Sequence, residues 1–221
     1  MQEWIDAMNQ QFTVEGRGTP KRLLGINISW NKRGQGIHIS GESAIQAFAK
    51  NEGIVRTVRT PYLITATGPP VVTEAVLARP VQVLVGRLLF IARMWRADIR
   101  YAVQRLCIKA SKPAEQDQQA ARRIISYLLD STQEGVTLNS WSQEGLDIFT
   151  DAGEEVLEDK ANSGILIMSG NSPISWTSRN QDVTTLSRTE AEYIPLESRA
   201  QDAMWLRKVL EFLEVPCIPL V

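Results

Sequence analysis

The chain has little of what many enzymes need. It is 221 residues long and contains one histidine, His38, and two cysteines, Cys107 and Cys217. A catalytic histidine needs a partner that positions it, and a zinc site needs several closely spaced ligands, so the composition excludes most hydrolase triads and most zinc enzymes. The cysteines are 110 residues apart and fit no disulfide framework. Any chemistry in this chain must be carried by carboxylates.

Long apolar segments are also missing. The longest unbroken apolar run, residues 88–92, has five residues, whereas roughly 18 are needed to span a bilayer. The N-terminus lacks the apolar core of a signal peptide. With 43% hydrophobic and 22% charged residues, the chain has the composition of one or two globular domains. We therefore expect an intracellular protein, in the cytoplasm or nucleus, with no membrane partner.

Charge is distributed unevenly along the chain. Residues 1–140 carry 18 Lys and Arg against 11 Asp and Glu, and residues 141–221 carry 6 against 14. Two interpretations fit this asymmetry. Both parts could present ordinary solvated surfaces. Alternatively, a basic part binds a polyanion backbone while an acidic part collects carboxylates around a divalent cation.

Turn signals and hydrophobic periodicity divide the first part of the chain into elements. A short helix is predicted at residues 3–12, a hairpin at 23–30 and 36–40, and a helix at 42–51. Residues 60–80 contain four prolines, which disfavour helical geometry in themselves and in the residues before them. This segment is predicted to be an extended connector.

Three amphipathic helices are predicted next. Their apolar positions recur with the helical period and are interpreted as core faces. These positions are Leu84, Leu88, Ile91, Ile99, Ala102, Leu106, Ala110, Ala121, Ile124, Ile125 and Leu128. The other faces carry cations, of which five are candidate nucleic-acid contacts: Arg93, Arg96, Arg100, Arg122 and Arg123. The sequence alone does not place these cations on one surface.

The acidic part consists of short strands followed by a helix. Runs at residues 147–150, 163–169 and 173–178 predict a three-stranded antiparallel meander. A long helix is then predicted from the capping box at residues 187–190 (SRTE), in which the Ser hydroxyl and the Glu carboxylate satisfy free backbone amides. Pro216 is predicted to end this helix.

Two carboxylates in this part are candidates for chemistry. Asp151 lies where the first strand is predicted to end, and Glu192 lies about one and a half turns into the helix. If the helix packs across the sheet, Glu192 is aimed towards Asp151, and the pair forms half of a two-metal phosphodiesterase site for Mg²⁺. The alternative for Asp151 is an ordinary turn or cap residue. The acidic run at residues 154–159 has no calcium-loop pattern and is interpreted as solvated charge.

Several stretches of the sequence resemble a known family. Residues 173–181 (PISWTSRNQ) and 186–193 (LSRTEAEY) resemble the ribonuclease H region of copia-type LTR retrotransposon Pol polyproteins. Residues 84–90 (LVGRLLF) look like part of the connection between reverse transcriptase and nuclease, and residues 23–28 (LLGINI) look like the closing strand of the polymerase palm. The resemblance covers nearly the whole chain in the order found in the family.

The resemblance implies a fold and a division into domains. The expected fold class is α/β, with a ribonuclease H-like mixed sheet and a long helix, incomplete in this chain, preceded by a mostly helical remnant of the polymerase thumb and connection. The implied domains are residues 1–61 (reverse transcriptase palm and thumb), 62–80 (extended connector), 81–140 (helical connection) and 145–221 (ribonuclease H-like domain, truncated at its C-terminal end).

The resemblance also implies an activity. Members of the family cleave the RNA strand of RNA–DNA hybrids with Mg²⁺ as cofactor, and Asp151 and Glu192 match their first two catalytic and metal-binding carboxylates. The implied partners are RNA–DNA hybrid or duplex nucleic acid and the remainder of the polyprotein. Trp30 and Trp95 could stack on bases, but we interpret them as core residues.

Four departures from the family lead us to expect that this chain is inactive by itself. No Asp-Asp pair occurs, so the polymerase site is absent, and the third nuclease Asp would lie beyond Val221. Residues 152–155 (AGEE) replace the family's Ala-Asp-Trp-Ala. Pro195 lies inside the helix of Glu192, where proline costs about 3 kcal/mol or kinks the helix. The alternative function is a catalytically dead remnant that binds nucleic acid non-specifically.

Overall fold

The protein has an α/β architecture with two antiparallel sheets in the part that the structure describes. The structure is a computed structural model that describes residues 2–13, 18–30, 36–63, 78–139, 145–153, 162–181 and 204–214. Within these ranges no helix is both long enough and apolar enough to cross a bilayer. The expectation of an α/β chain is confirmed.

The first sheet contains four strands in the order β1-β2-β3-β4. They are Arg22–Leu23 (β1), Ile26–Trp30 (β2), Gly36–Ser40 (β3) and Gly135–Asn139 (β4), each antiparallel to its neighbour. The predicted hairpin is confirmed as β2 and β3. Leu24 and Gly25, with φ of 51° and 82°, form a turn between β1 and β2. This conformation suits Gly25, which has no Cβ to crowd the backbone.

Strand β4 joins this sheet from a distant part of the sequence. The His38 ring Nδ1 lies 3.1 Å from Thr137 Oγ1 across the β3–β4 pair, so the single histidine has a structural contact here. Gly135 approaches β3 so closely that a Cβ at this position would collide with the backbone oxygen of Ile39. Glycine is therefore required where β4 begins.

Helices cover the rest of the N-terminal part. They are Gln2–Asn9 (α1), Glu42–Asn51 (α2), Ala78–Met94 (α3), Arg100–Lys109 (α4) and Glu115–Asp130 (α5), with a 3-10 turn at Ala97–Ile99. All five match predicted helices. The connector predicted up to residue 80 differs from the structure, because Pro80 lies in the first turn of α3. The first backbone N–H groups of a helix have no intrahelical acceptor, so proline is tolerated there.

One hydrophobic core lies between the first sheet and helices α2 to α5. The predicted core faces are confirmed at Leu84, Leu88, Ile91, Ile99, Ala102, Leu106, Ala121, Ile124, Ile125 and Leu128, which are all buried. Trp95 belongs to this core and is 1% exposed, whereas Trp30 is 47% exposed. Because residues 18–63 and 78–139 share this core and its sheet, we call them together the N-terminal unit.

The second sheet is the predicted three-stranded meander. Its strands, Asp147–Gly153 (β5), Asn162–Ser169 (β6) and Ser172–Asn180 (β7), are antiparallel in the order β5-β6-β7. Residues 204–212 are helical, and Leu206 and Leu210 pack against Ile165 and Ile167 of β6. The earlier part of the predicted long helix, with its capping box, lies outside the described residues.

Hydrogen bonds from Trp176 and Asn139 join the second sheet to the N-terminal unit. The indole Nε1 of Trp176 in β7 donates to the backbone oxygen of Ala92 at 2.6 Å. The backbone N–H of Asn139 donates to Ser172 Oγ at 2.8 Å. Ala92 lies in the last turn of α3, where backbone carbonyls lack intrahelical donors, so Trp176 caps this helix end. These bonds hold β7 against α3 and β4.

Candidate functional site

A cavity of about 660 Å³ lies at the junction between the N-terminal unit and the second sheet. The start of α4 contributes Arg100 and Tyr101 to its lining, and β5, β6 and β7 contribute the rest of the opposite side. Asp151 of β5 belongs to this lining. Ligand pockets commonly measure about 300–1,000 Å³, so the space is sufficient for a nucleotide-sized group.

Asp151 is exposed and lies two residues before the end of β5 at Gly153. The strand extends further than predicted, so Asp151 lies inside it and not just beyond it. Its partner in the antiparallel pair is Gly164 of β6. Directly paired residues share one face of a sheet, and Gly164 has no side chain to cover the carboxylate. The Asp151 carboxylate is therefore open to a ligand on the cavity side.

The second predicted carboxylate, Glu192, lies outside the described residues, so its proximity to Asp151 stays a prediction. Within the described ranges no group of three His, Cys, Asp or Glu side chains could hold a metal ion. Asp98 also lines the cavity, but Arg96 and Tyr127 donate to its carboxylate. Magnesium is usually held by one or two carboxylates together with substrate phosphates. Asp151 is compatible with such a site but does not form one alone.

A buried chain of hydrogen bonds supports the sheet beside Asp151. Ser178 Oγ donates to Asn162 Oδ1 at 2.9 Å, and Asn162 Nδ2 donates to Asn180 Oδ1 at 3.2 Å. Ser178 and Asn162 line the cavity and are 5% and 7% exposed. Satisfied buried polar networks stiffen the structure around them. Sequence patterns did not single out these residues, although residues 173–181 belong to the stretches that resemble the family.

The candidate arginines of α5 make contacts inside the N-terminal unit. Arg122 Nη2 donates to the backbone oxygen of Glu52 at 2.8 Å. Arg123 Nη2 donates to Thr60 Oγ1 at 2.8 Å. Both side chains are half-buried and connect α5 to the segment after α2. Neither residue lines the cavity.

Arg96 has a different position from the one expected for a nucleic-acid contact. It is 1% exposed, and its Nε and Nη2 donate to the Asp98 carboxylate at 2.9 and 2.7 Å. Its Nη1 donates to the backbone oxygen of Ser131 at 2.9 Å. Burial alone would lower the pKa of Arg96, but the hydrogen bonds and charge of Asp98 outweigh it and raise this pKa. Arg96 thus lies inside the protein as a structural cation.

Arg100 is also buried, at 7% exposure, but it is not paired in this way. Its Nε and Nη1 have no hydrogen-bond partner within the described residues. Arg93, by contrast, is exposed at the end of α3. Of the five candidate arginines, Arg100 is the one that lines the cavity with Asp151.

The chain is similar to parts of retrotransposon proteins. It is 26% identical over 219 residues to the retrovirus-related Pol polyprotein from transposon RE2 of Arabidopsis thaliana, a match that covers 96% of this chain. It is 28% identical over 194 residues to the putative transposon Ty5-1 protein of Saccharomyces cerevisiae, covering 85% of this chain and 62% of that protein. It is also 31% identical over 124 residues to secreted RxLR effector protein 161 of Plasmopara viticola, covering 55% of this chain and 87% of the effector.

These similarities are found at the level of sequence. No protein-family model and no solved structure matches the chain. The chain spans 15% of the length of the RE2 polyprotein. The matches to transposon Pol polyproteins from two plants extend over 93–96% of the chain, and the Ty5-1 match extends over 85%. Over 85–96% of its length the chain is therefore similar to copia-type LTR retrotransposon Pol polyproteins.

Proposed function

We propose that this chain is the connection and ribonuclease H-like part of a Pol polyprotein and that it binds RNA–DNA hybrid in the cavity between α4 and the second sheet. The observation that supports this proposal is that Arg100 and Asp151 line one cavity. A cation of the basic part can bind backbone phosphate, and a carboxylate of the acidic part can bind a divalent ion. A three-stranded antiparallel meander with a carboxylate on its first strand is compatible with a ribonuclease H-like fold.

In this proposal Asp151 and Glu192 hold Mg²⁺, which would activate water and stabilise the leaving oxygen of a phosphodiester. The residues of the chain itself bind and orient the hybrid. We further propose that the 221-residue chain binds hybrid without cleaving it. Two-metal sites use several carboxylates. In the described lining Asp98 is engaged by Arg96 and Tyr127, which leaves Asp151 to face a ligand. Pro195 is expected to disturb the predicted helix of Glu192.

Replacing the Asp151 carboxylate tests the position of the hybrid. Without divalent cations, Asp151→Asn should tighten hybrid binding by about two- to fivefold, because an exposed carboxylate close to a phosphate repels it by a fraction of a kcal/mol to about 1 kcal/mol. Magnesium should tighten binding by the wild-type chain and have less effect on the variant. Fluorescence anisotropy of a labelled RNA–DNA hybrid, with and without Mg²⁺, measures both effects.

Asp147→Asn is the matched control for this experiment. Asp147 is exposed on the same strand, and its substitution by Asn changes the charge by the same amount. Unlike Asp151, it does not line the cavity. An equal gain in both variants would contradict a hybrid bound beside Asp151. Cleavage of the RNA strand by the wild-type chain, lost in Asp151→Asn, would contradict the proposed inactivity and support the ribonuclease H relation. Equal affinity for hybrid and for duplex DNA would favour the alternative, a non-specific nucleic-acid-binding module.

A further inference from the structure

Arg100 carries a buried charge that the described residues leave uncompensated. The side chain is more than nine-tenths buried, and its Nε and Nη1 atoms are enclosed without a hydrogen-bond partner. No ion pair joins it to a carboxylate within the described ranges. A buried cation is costly unless an anion or several acceptors replace the lost water. Arg96, only four residues earlier, has such acceptors.

Two further arginines add positive charge near Arg100. Arg93 at the end of α3 and Arg179 of β7 are both exposed. Burial lowers the pKa of Arg100, and the charges of Arg93 and Arg179 lower it further, opposed by the Cys107 sulfur. These three cations come from α3, α4 and β7, so they meet where the N-terminal unit contacts the second sheet. Clustered cations of this kind favour the binding of an anion.

The sheet side of the cavity offers one more donor. Thr177 of β7 lines the same cavity as Arg100, and its hydroxyl is enclosed without a hydrogen-bond partner. A buried hydroxyl without a partner loses free energy in the same way as an unpaired guanidinium N–H. An oxyanion in this cavity would offer acceptors to both groups, since its oxygens accept charge-assisted hydrogen bonds.

We infer that Arg100 and Thr177, with Arg93 and Arg179 near them, form a binding site for a phosphate group in the cavity beside Asp151. This inference rests on the proposed function only for the source of the phosphate, which is then a backbone phosphate of the bound hybrid. Free inorganic phosphate has the same recognition chemistry and serves as the probe that separates the site from the hybrid.

The first experiment measures thermal unfolding of the full chain with increasing inorganic phosphate, compared with sodium chloride at equal ionic strength. Phosphate should raise the melting temperature of the wild-type chain, because a ligand that binds the folded state stabilises it. Arg100→Gln should abolish this rise, and Thr177→Val should reduce it. Arg56→Gln is the matched control, since Arg56 is exposed and lies outside the cavity lining. A rise that persists in Arg100→Gln would overturn the inference.

Stability without phosphate separates a ligand site from a structural role. If the anion comes from outside the chain, Arg100→Gln leaves the melting temperature in phosphate-free buffer unchanged or raises it, because the uncompensated charge is gone. If acceptors of the chain itself paired with the Arg100 guanidinium, the same substitution would lower the melting temperature, and the inference would be wrong. Thr177→Val allows the same comparison of melting temperatures, because it removes the hydroxyl and hardly changes the volume of the side chain.

The second experiment measures hybrid binding as a function of salt. Loss of one phosphate contact lowers the slope of log affinity against log salt by roughly 0.9, and Arg100→Gln should also weaken binding about tenfold. Unchanged affinity and slope in Arg100→Gln, with the wild-type chain binding hybrid, would overturn the inference and leave the proposed function standing. The opposite result is that the wild-type chain does not bind hybrid, while phosphate raises its melting temperature and does not raise that of Arg100→Gln. In that case the proposed function fails and the phosphate site is supported.

Discussion

Asp98→Asn is expected to lower the free energy of unfolding by about 3 kcal/mol, because it leaves the guanidinium of Arg96 buried without its counter-charge. Arg96 is 1% exposed, and Nε and Nη2 donate to the two oxygens of the Asp98 carboxylate. The amide of Asn accepts at one oxygen only and carries no charge. Tyr127, which donates its hydroxyl to Asp98 at 2.7 Å, also loses a charged acceptor. Chemical denaturation at neutral pH measures the change.

The Asp98 pair also predicts a dependence on pH. Burial alone would raise the pKa of Asp98, but the hydrogen bonds and charge of Arg96 outweigh it and hold this pKa below the ordinary value of an aspartate. A carboxyl group whose pKa is lowered by folding stabilises the protein above its unfolded pKa, and this stability is lost as the pH falls through the lower folded value. The difference between wild type and Asp98→Asn should therefore be full at neutral pH and shrink below about pH 4.

Asp130→Asn is the matched control, because Asp130 is exposed at the end of α5. Substitutions at such surface positions usually change stability by less than about 0.5 kcal/mol. Equal losses in the two variants, or a loss for Asp98→Asn that does not depend on pH, would contradict the role given to this ion pair.

Trp95→Ala is expected to cost about 3–5 kcal/mol of stability, the range for removing a fully buried tryptophan. Trp95 is 1% exposed in the core and stacks edge-to-face with Phe90 at a centroid distance of 5.9 Å. A Cβ at Gly41 would collide with the Trp95 ring, which shows how closely the start of α2 approaches this side chain. The cavity left by the substitution cannot be filled by a small shift of one neighbour.

Trp30→Ala provides the comparison for this core tryptophan. Trp30 is 47% exposed on β2, so its removal is expected to cost about 1 kcal/mol or less. Urea denaturation of both variants measures how much each tryptophan contributes to the packing of the core. A large loss for Trp30→Ala together with a small loss for Trp95→Ala would contradict the core described above.

Local sequence patterns predicted helices α1 to α5, the β2–β3 hairpin and the β5-β6-β7 meander. The apolar period of Leu84, Leu88 and Ile91 marks the face of α3 that the core covers, because burial of one helix face requires that period. The pairing of β4 with β3 could not be predicted, since Gly36 and Asn139 are partners that lie far apart in the sequence. Local periodicity contains no information about which distant strand completes a sheet.

The candidate site was predictable only in part, for the same reason. Asp151 was found because a carboxylate near a strand end is visible in the sequence, whereas its cavity depends on contacts between α4 and the second sheet. In the sequence Arg96 and Arg100 look alike, because both are cations in or next to a predicted helix. The structure distinguishes them by their neighbours, since Asp98 pairs with Arg96 and no described carboxylate pairs with Arg100. A charge count cannot separate a structural arginine from one that is free to bind a ligand.

Hydrogen–deuterium exchange of the wild-type chain, with and without a saturating RNA–DNA hybrid, tests most directly whether the hybrid binds in the cavity between α4 and the second sheet. Binding there predicts slower exchange in the first turn of α4 and in the cavity-lining segments of β5 and β7, with no change at the β1–β2 edge of the first sheet. Protection confined to the first sheet, or no protection while the hybrid is bound, would contradict binding in this cavity.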